Sequence, residues 1–172
     1  LSWITRSDER QLSADNPSLL RRYILALIYF EGGGEEWNTQ ETNLSYLTST
    51  TECNWHGVYC SNDAAIILNL TSTNVGGTIP SEIGSLTSLQ VLNLEKNSIS
   101  GSIPESIGEL SLLTYLDLDR NKIQGTIPES LFGLKNLEWL DIDSNNIGGT
   151  ISPEIQNLSS IQVMSLFNNE LE

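Results

Sequence analysis

The chain has 172 residues, of which 38% are apolar, and a formal net charge of −14. So few apolar residues are unusual for a globule around one deep core, but they suit a thin repeat structure in which each unit buries a stripe of side chains. The negative charge argues against nucleic-acid partners and anionic lipid surfaces, which would repel it, and fits either solubility alone or a partner of positive charge. The longest apolar run, residues 24–30, is too short to span a bilayer, so no membrane contact is expected from these residues.

Residues 1–64 contain no repeat and are predicted to form an N-terminal cap. A helix over about residues 17–31 is expected within it, because Asn16 and Pro17 are typical of a helix start and apolar residues then recur at helical spacing. The side of this helix that faces solvent is expected to carry its two arginines, Arg21 and Arg22.

The only two cysteines, Cys53 and Cys60, bound the segment CNWHGVYC. A pair so close in sequence fits a single disulfide that closes the short loop 53–60. Two free thiols or half of a metal site are the alternatives. A metal site would need more ligands than the one histidine, His56, can add. The disulfide is therefore favoured, and no metal is expected.

Residues 65–172 repeat with a period of 24; units start at residues 65, 89, 113, 137 and 161, and the last is incomplete. Each unit follows the pattern L-x-x-L-x-L-x-x-N-x-L-x-G-x-I-P. Leucines two positions apart predict a short strand whose apolar side chains point to one side, and aliphatic residues of the return path complete the buried stripe. No unit can be stable alone, so stacking of successive units must supply the core.

One polar position in each unit is predicted to lie at an inner corner of the coil. It holds Thr73 in the first unit and then Asn97, Asn121, Asn145 and Asn169. A buried amide must be hydrogen-bonded, and a stacked asparagine can bond the backbone of its own turn and of the next, whereas Thr73 can do less. The fourth unit has Ser152 where earlier units have proline, with Pro153 one residue later, so its backbone is expected to differ locally.

These features resemble the plant-type leucine-rich repeats of receptor-like kinases, receptor-like proteins and polygalacturonase inhibitors. The I/L-x-G-x-I-P repeat carries the resemblance, as do the residues that match the cap motif C-x-W-x-G-V-x-C of that family: Cys53, Trp55, Gly57, Val58 and Cys60. The resemblance implies an α/β solenoid, which is a right-handed superhelix with a concave parallel sheet, a second short strand near G-x-I-P, and a helical, disulfide-linked N-terminal cap.

The resemblance also implies secretion or display at the cell surface. A location outside the cell agrees with a disulfide and with three possible N-glycosylation sites, at Asn43, Asn69 and Asn157. A glycan on Asn69 would block one end of the concave face. Because the fifth unit is incomplete, we expect these residues to be part of a longer receptor-like or adhesion protein.

The strand residues that point away from the leucines are the candidate binding site. Tyr115 and Trp139 hold equal positions in adjacent units, so they should be neighbours on strands about 4.8 Å apart. Exposed aromatic side chains beside charges are typical of binding sites, although aspartate and aromatic residues here can also be purely structural. The predicted partner-binding set on the concave face is Tyr115, Trp139, Asp117, Asp119, Asp141, Asp143, Glu95 and Arg120.

We expect this set to form an exposed acidic and aromatic patch, in which Arg120 neutralises part of the charge. Crowded carboxylates favour a cationic partner, such as a peptide with lysine or arginine. A calcium ion is the weaker option, because strand side chains hold their ligand atoms flat rather than around a cation.

The sequence predicts a binding protein rather than an enzyme, because one histidine and two bonded cysteines offer little catalytic machinery. No cofactor is expected, since the glycine run at residues 32–34 lacks the lysine of a phosphate loop. The leading hypothesis is an extracellular recognition module for a protein, peptide or glycan. The alternative is a structural component of an extracellular matrix or large assembly that makes contacts through its cap or flank. Ice binding is a minor third option, suggested by the regular hydroxyl positions Thr78, Ser102, Thr126 and Thr150.

Overall fold

The computed structural model describes residues 7–37 and 45–172, so the predicted glycosylation site Asn43 lies outside the described residues. Helix α1 spans Ser18–Glu31. The backbone N–H of Ser18 donates to Asn16 Oδ1 at 2.9 Å, so Asn16 satisfies one of the open donors at the helix start. The strands of the described residues are β1 Val58–Ser61, β2 Ala64–Asn69, β3 Val91–Asn93, β4 Tyr115–Asp117, β5 Gln124–Gly125, β6 Trp139–Asp141, β7 Asn146–Gly149, β8 Val163–Ser165 and β9 Glu170–Leu171.

Six of these strands form one sheet, in the order β1-β2-β3-β4-β6-β8. From β2 onward the strands are parallel, and residues 24 apart pair directly, as Tyr115 does with Trp139 and Trp139 with Val163. This is the register that the repeat predicts. Strand β1 runs antiparallel to β2 and covers one edge of the sheet. It overlaps the end of the expected disulfide loop, residues 53–60.

The leucine side of the sheet forms the core. Its strand positions are fully buried in the first four coils: Leu68, Leu70, Leu92, Leu94, Leu116, Leu118, Leu140 and Ile142. The opposite side of the sheet is called the outer sheet face below. It carries Ile67, Asn69, Val91, Asn93, Tyr115, Asp117, Trp139, Asp141, Val163 and Ser165, and it continues past the strand ends to Asp119 and Asp143.

A second, smaller sheet joins β5, β7 and β9 near the G-x-I-P segments, as the resemblance implies. A 3-10 turn follows in each coil, at Ser81–Ser85, Glu105–Glu109, Glu129–Gly133 and Pro153–Asn157. The expectation that the fourth coil differs is wrong. Ser152 adopts φ −62° and ψ 141°, the conformation that Pro80 has in the first coil, and its side chain accepts the N–H of Glu154. Serine can adopt this backbone conformation, so the turn survives the exchange.

The asparagines at the inner corner link each coil to the one before it. Asn121 Nδ2 donates to the carbonyls of Leu94, Leu118 and Asp119 at 2.9–3.1 Å. Its Oδ1 accepts the N–H of Ile99 at 3.0 Å. Asn145 and Asn169 make the same set of bonds one and two coils later. Asn97 makes this set one coil earlier, where its Oδ1 accepts the N–H of Val75. Thr73, at the same position in the first coil, donates to the Thr71 carbonyl at 3.3 Å. Asn121 and Asn145 are buried, whereas Asn97 and Asn169 are half-buried.

The residues before the repeats are held to the first coil by a disulfide and by close backbone contact. Cys53 and Cys60 are bonded, as predicted, and this joins the Glu52–Asn54 turn to β1. Asn69 N–H donates to the Gly57 carbonyl at 2.8 Å. A Cβ at Gly57 would lie 2.2 Å from the Asn69 carbonyl oxygen, and its φ is +74°, so glycine is required at this contact.

Arg22 departs from the sequence prediction, which places it on the solvent side of α1. It is fully buried, and its guanidinium donates to both carboxylate oxygens of Asp8 at 2.6 and 2.7 Å. The buried carboxylate of Glu52 bonds Arg10 and Arg21 beside it. Burial by itself would raise the pKa of Asp8, but the hydrogen bond and charge of Arg22 hold that pKa below its ordinary value. The segment around Asp8 covers this side of the helix, which the sequence pattern of α1 alone does not reveal.

Candidate functional site

Two aromatic rings stand together at the middle of the outer sheet face. Tyr115 and Trp139 pair across β4 and β6, and their rings stack with centroids 5.5 Å apart and an angle of 16° between the planes. Both side chains are half-buried. Tyr115 Oη donates to Asp117 Oδ2 at 2.9 Å, which fixes the phenol over its own strand. The stacked rings therefore form a partly exposed aromatic platform on this face.

The aspartates around this platform are not the exposed patch that the sequence predicts. Asp117, Asp119 and Asp143 retain 6%, 7% and 5% of their accessible surface, and Asp141 is half-buried. The side chains of Asp117 and Asp141 fold back on the backbone. Asp117 Oδ1 accepts the N–H of Asp119, and Asp141 Oδ1 accepts the N–H of Asp143, each at 3.1 Å. The carboxylates thus form the floor of a recess, below the larger rings.

Burial makes three of these carboxylates, those of Asp117, Asp119 and Asp141, harder to ionise. It raises the pKa of Asp117 and of Asp141 above the ordinary value. The pKa of Asp119 rises to about 6, first because of burial and then because of the neighbouring Asp143 carboxylate. With this pKa, Asp119 is largely ionised at neutral pH, so the recess holds negative charge that lacks full compensation.

Two basic side chains lie at the edge of the recess. Arg120 Nη1 is 3.8 Å from Asp119 Oδ2 and 3.9 Å from Glu95 Oε1, too far for hydrogen bonds. Lys96 forms an ion pair with Glu95. Arg120 and Lys96 are 57% and 47% exposed, so water screens both ion pairs. Their compensation of the buried aspartates is therefore weak.

Three polar atoms of this site are buried and have no hydrogen-bond partner within the described part of the chain: Asp119 Oδ1, Asp143 Oδ1 and Trp139 Nε1. Two of them accept and one donates. Buried polar atoms are nearly always satisfied, so such a group points to something that is bound from outside the chain. Sequence alone could indicate the equal positions of Asp119 and Asp143 in adjacent coils, but not their burial.

The predicted set omits apolar residues that extend the platform. Val163 pairs with Trp139 on the next strand and is 38% exposed, and Phe167, one strand end further, is 65% exposed. The aromatic surface therefore continues toward the last coil. Phe167 holds the position that Asp119 and Asp143 hold in earlier coils, a signal that the sequence does contain.

The two predicted glycosylation sites within the described residues are both exposed. Asn69 lies on the outer sheet face at the end of β2, where its Oδ1 accepts the Thr71 hydroxyl at 2.8 Å. Asn157 ends the 3-10 turn of the fourth coil. Across residues 7–37 and 45–172, no helix has the length and apolar character that a bilayer crossing requires.

Comparisons with known proteins show that the chain is similar to plant leucine-rich-repeat ectodomains. Residues 67–171 match a family profile described as a leucine-rich repeat region. A chain of the BIR3–SERK2 complex from Arabidopsis thaliana is 31% identical, with a TM-score of 0.72 over 86% of this chain and 83% of that one. The BIR2 ectodomain from Arabidopsis thaliana is 29% identical, with a TM-score of 0.74 over 88% and 81%.

A longer receptor is similar over a part of its length. The ectodomain of the Arabidopsis receptor kinase HAESA, in complex with an IDA peptide hormone ligand, is 31% identical, with a TM-score of 0.71 over 87% of this chain and 25% of that one. No curated protein matches the chain in a sequence search.

Proposed function

This chain belongs to the plant-type leucine-rich-repeat family, and from that premise we propose that it is an extracellular recognition module whose outer sheet face binds a peptide or protein partner. The observation that carries the proposal is the stacked pair Tyr115–Trp139 above a recess of uncompensated aspartates. Rigid aromatic side chains beside buried polar groups supply much of the energy at protein interfaces.

The chemistry of the recess indicates what such a partner carries. The buried oxygens Asp119 Oδ1 and Asp143 Oδ1 need donors or positive charge, and Trp139 Nε1 needs an acceptor. An extended peptide offers both kinds of group, through a lysine or arginine side chain and a backbone carbonyl. A cationic side chain could also lie against the faces of the Tyr115 and Trp139 rings.

Similar structures support a peptide or protein as the partner. The HAESA ectodomain is described in complex with a peptide hormone, and BIR3 with SERK2 as a complex of two proteins. An extracellular location agrees with the Cys53–Cys60 disulfide and with exposed sequons at Asn69 and Asn157. Catalysis is not proposed, because the one histidine lies in the disulfide loop and both cysteines are bonded.

Two other uses of the surface compete with this proposal. A structural role would place contacts on the cap or flank, where Leu20 and Phe30 of α1 are each 51% exposed. Ice binding would use the row of exposed hydroxyl residues beside the second sheet, Thr78, Ser102, Thr126 and Thr150. Thermal hysteresis of the purified protein would indicate ice binding. Neither use involves the unsatisfied atoms of the recess.

The test is a selection from a displayed random-peptide library on the immobilised protein, followed by affinity measurements on the enriched peptides. Trp139→Ala should weaken binding by at least about tenfold, as the loss of a central aromatic does at other interfaces. Phe30→Ala removes an exposed aromatic from α1 and serves as the matched control, for which we expect affinity within about twofold of the parent.

Charge gives an independent arm of the same experiment. Asp119→Asn/Asp143→Asn should reduce both the affinity for peptides with lysine or arginine and the dependence of binding on salt. The proposal is wrong if the enriched peptides bind Trp139→Ala as tightly as the parent. Loss of binding in Phe30→Ala instead would assign the partner to the cap.

A further inference from the structure

We propose that Asp119, Asp141 and Asp143 form a calcium site in the recess of the outer sheet face. Each of the three carboxylates offers one oxygen, and these oxygens all lie within 4.8 Å of one another. Whenever three atoms are this close, a point exists that is no more than about 2.8 Å from all of them, and Ca²⁺–oxygen distances are about 2.3–2.6 Å. Shifts of a few tenths of an ångström would complete the coordination.

The second observation is the state of two of these side chains. As whole residues, Asp119 and Asp143 retain 7% and 5% of their accessible surface, and the Asp119 side chain retains 11%. The Oδ1 atom of each has no hydrogen-bond partner among residues 7–37 and 45–172. A buried carboxylate oxygen without a donor is unfavourable unless a cation or a proton is present.

The charges that face the recess favour a cation. Strand β4 and its turn contribute Asp117, Asp119 and Arg120. Strand β6 and its turn contribute Asp141 and Asp143, and the turn after β3 contributes Glu95 and Lys96. Carboxylates therefore outnumber basic groups. Arg120 approaches Asp119 through Oδ2, so the unpartnered Oδ1 stays available.

The arrangement also suits calcium better than magnesium. Asp141 lies on a strand, whereas Asp119 and Asp143 lie just past strand ends, so the ligands are not confined to one flat row as the sequence analysis assumes. Calcium accepts irregular geometry and completes its shell with water, for which the half-buried Asp141 leaves an open side, whereas magnesium requires a near-ideal octahedron.

This site adjoins the proposed partner surface but does not rest on it. If both exist, calcium and a cationic peptide use the same carboxylates, so calcium should weaken binding of lysine- or arginine-bearing peptides. The calcium experiment below contains no peptide, and the peptide experiment can be run with a chelator. Failure of one proposal is thus distinguishable from failure of the other.

The test uses the whole chain and Tb³⁺, whose emission can be excited through a nearby indole such as Trp139. We expect saturable emission that Ca²⁺ displaces, and a rise in Tm of about 3–5 °C when free Ca²⁺ is ten times its dissociation constant. Asp119→Asn/Asp143→Asn should weaken Tb³⁺ binding at least about tenfold. The matched control is Glu105→Gln/Glu129→Gln, which makes the same charge change at two exposed residues of the 3-10 turns and should bind as the parent does.

The proposal is overturned if Tb³⁺ emission does not saturate, if the two double variants behave alike, or if Ca²⁺ leaves the Tm of the parent unchanged. Misfolding does not confuse the result, because removing carboxylate repulsion should leave the Tm of Asp119→Asn/Asp143→Asn in chelator at or above that of the parent.

Discussion

Asn121→Leu removes one asparagine from the inner corner of the coil, and the hydrogen bonds indicate how much stability this costs. The N–H of Ile99, which is buried, loses its acceptor Asn121 Oδ1. The three carbonyls that accept from Asn121 each keep a second donor: Asn97 Nδ2 for Leu94, Asn145 Nδ2 for Leu118 and the Lys96 N–H for Asp119. One fully orphaned donor costs about 1–3 kcal/mol. In a chain of this size that lowers Tm by roughly 2–12 °C.

Circular dichroism during thermal and urea unfolding measures this loss. The matched control is Asn136→Leu, because Asn136 is exposed and its Nδ2 donates to the Ser111 carbonyl at 2.8 Å, where water can replace it. We expect the control to change Tm by about 1 °C or less, as surface substitutions usually do. Equal melting of Asn121→Leu and the parent, or an equal loss in Asn136→Leu, would refute the account of the asparagine ladder.

Three further predictions concern charge and the cap. The pKa of Asp119 is raised from 3.8 to about 6, so between these two pH values the folded state keeps a proton that the unfolded chain releases. Without calcium, the urea midpoint should therefore be higher near about pH 5 than near about pH 7.5. Asp119→Asn should make this difference between the two midpoints smaller. Arg22→Met removes the guanidinium that pairs with the buried Asp8, which keeps the backbone N–H of Arg10, and should cost about 3–5 kcal/mol in urea unfolding; a loss below about 1 kcal/mol would contradict this. Cys53→Ser/Cys60→Ser should cost about 2–3 kcal/mol and make unfolding insensitive to reductant, whereas a variant as stable as the oxidised parent would show that the bond contributes nothing.

The repeat architecture is predictable because one residue pattern recurs in every coil. One position of the repeat holds Leu92, Leu116 and Leu140, which are 24 residues apart. This spacing predicts the register of the sheet and therefore that Tyr115 and Trp139 lie side by side. The structure adds that the proline position of the repeat can hold another residue type when that residue adopts the same backbone conformation. Ser152 keeps the turn that proline makes elsewhere, so a change of residue type there does not imply a change of conformation.

Burial outside the repeat pattern is not predictable from local sequence. Arg22 looks exposed on a helical projection, yet Asp8 closes over it from a segment 14 residues earlier. Asp119 and Asp143 look exposed because strand alternation turns them outward, yet both are buried in the folded chain. Both errors have one cause: exposure depends on what a distant or neighbouring element covers, and periodicity contains no such information.

The central claim, that the outer sheet face binds the partner, is tested most directly by locating a bound peptide. A library-selected peptide with a photoreactive group should be cross-linked to the parent protein and the adducts mapped by mass spectrometry. We expect adducts within residues 115–119, 139–143 and 163–167, which are the recess, the aromatic platform and its extension. Adducts confined to α1 or to the 3-10 turns, with none on these strands, would contradict the claim.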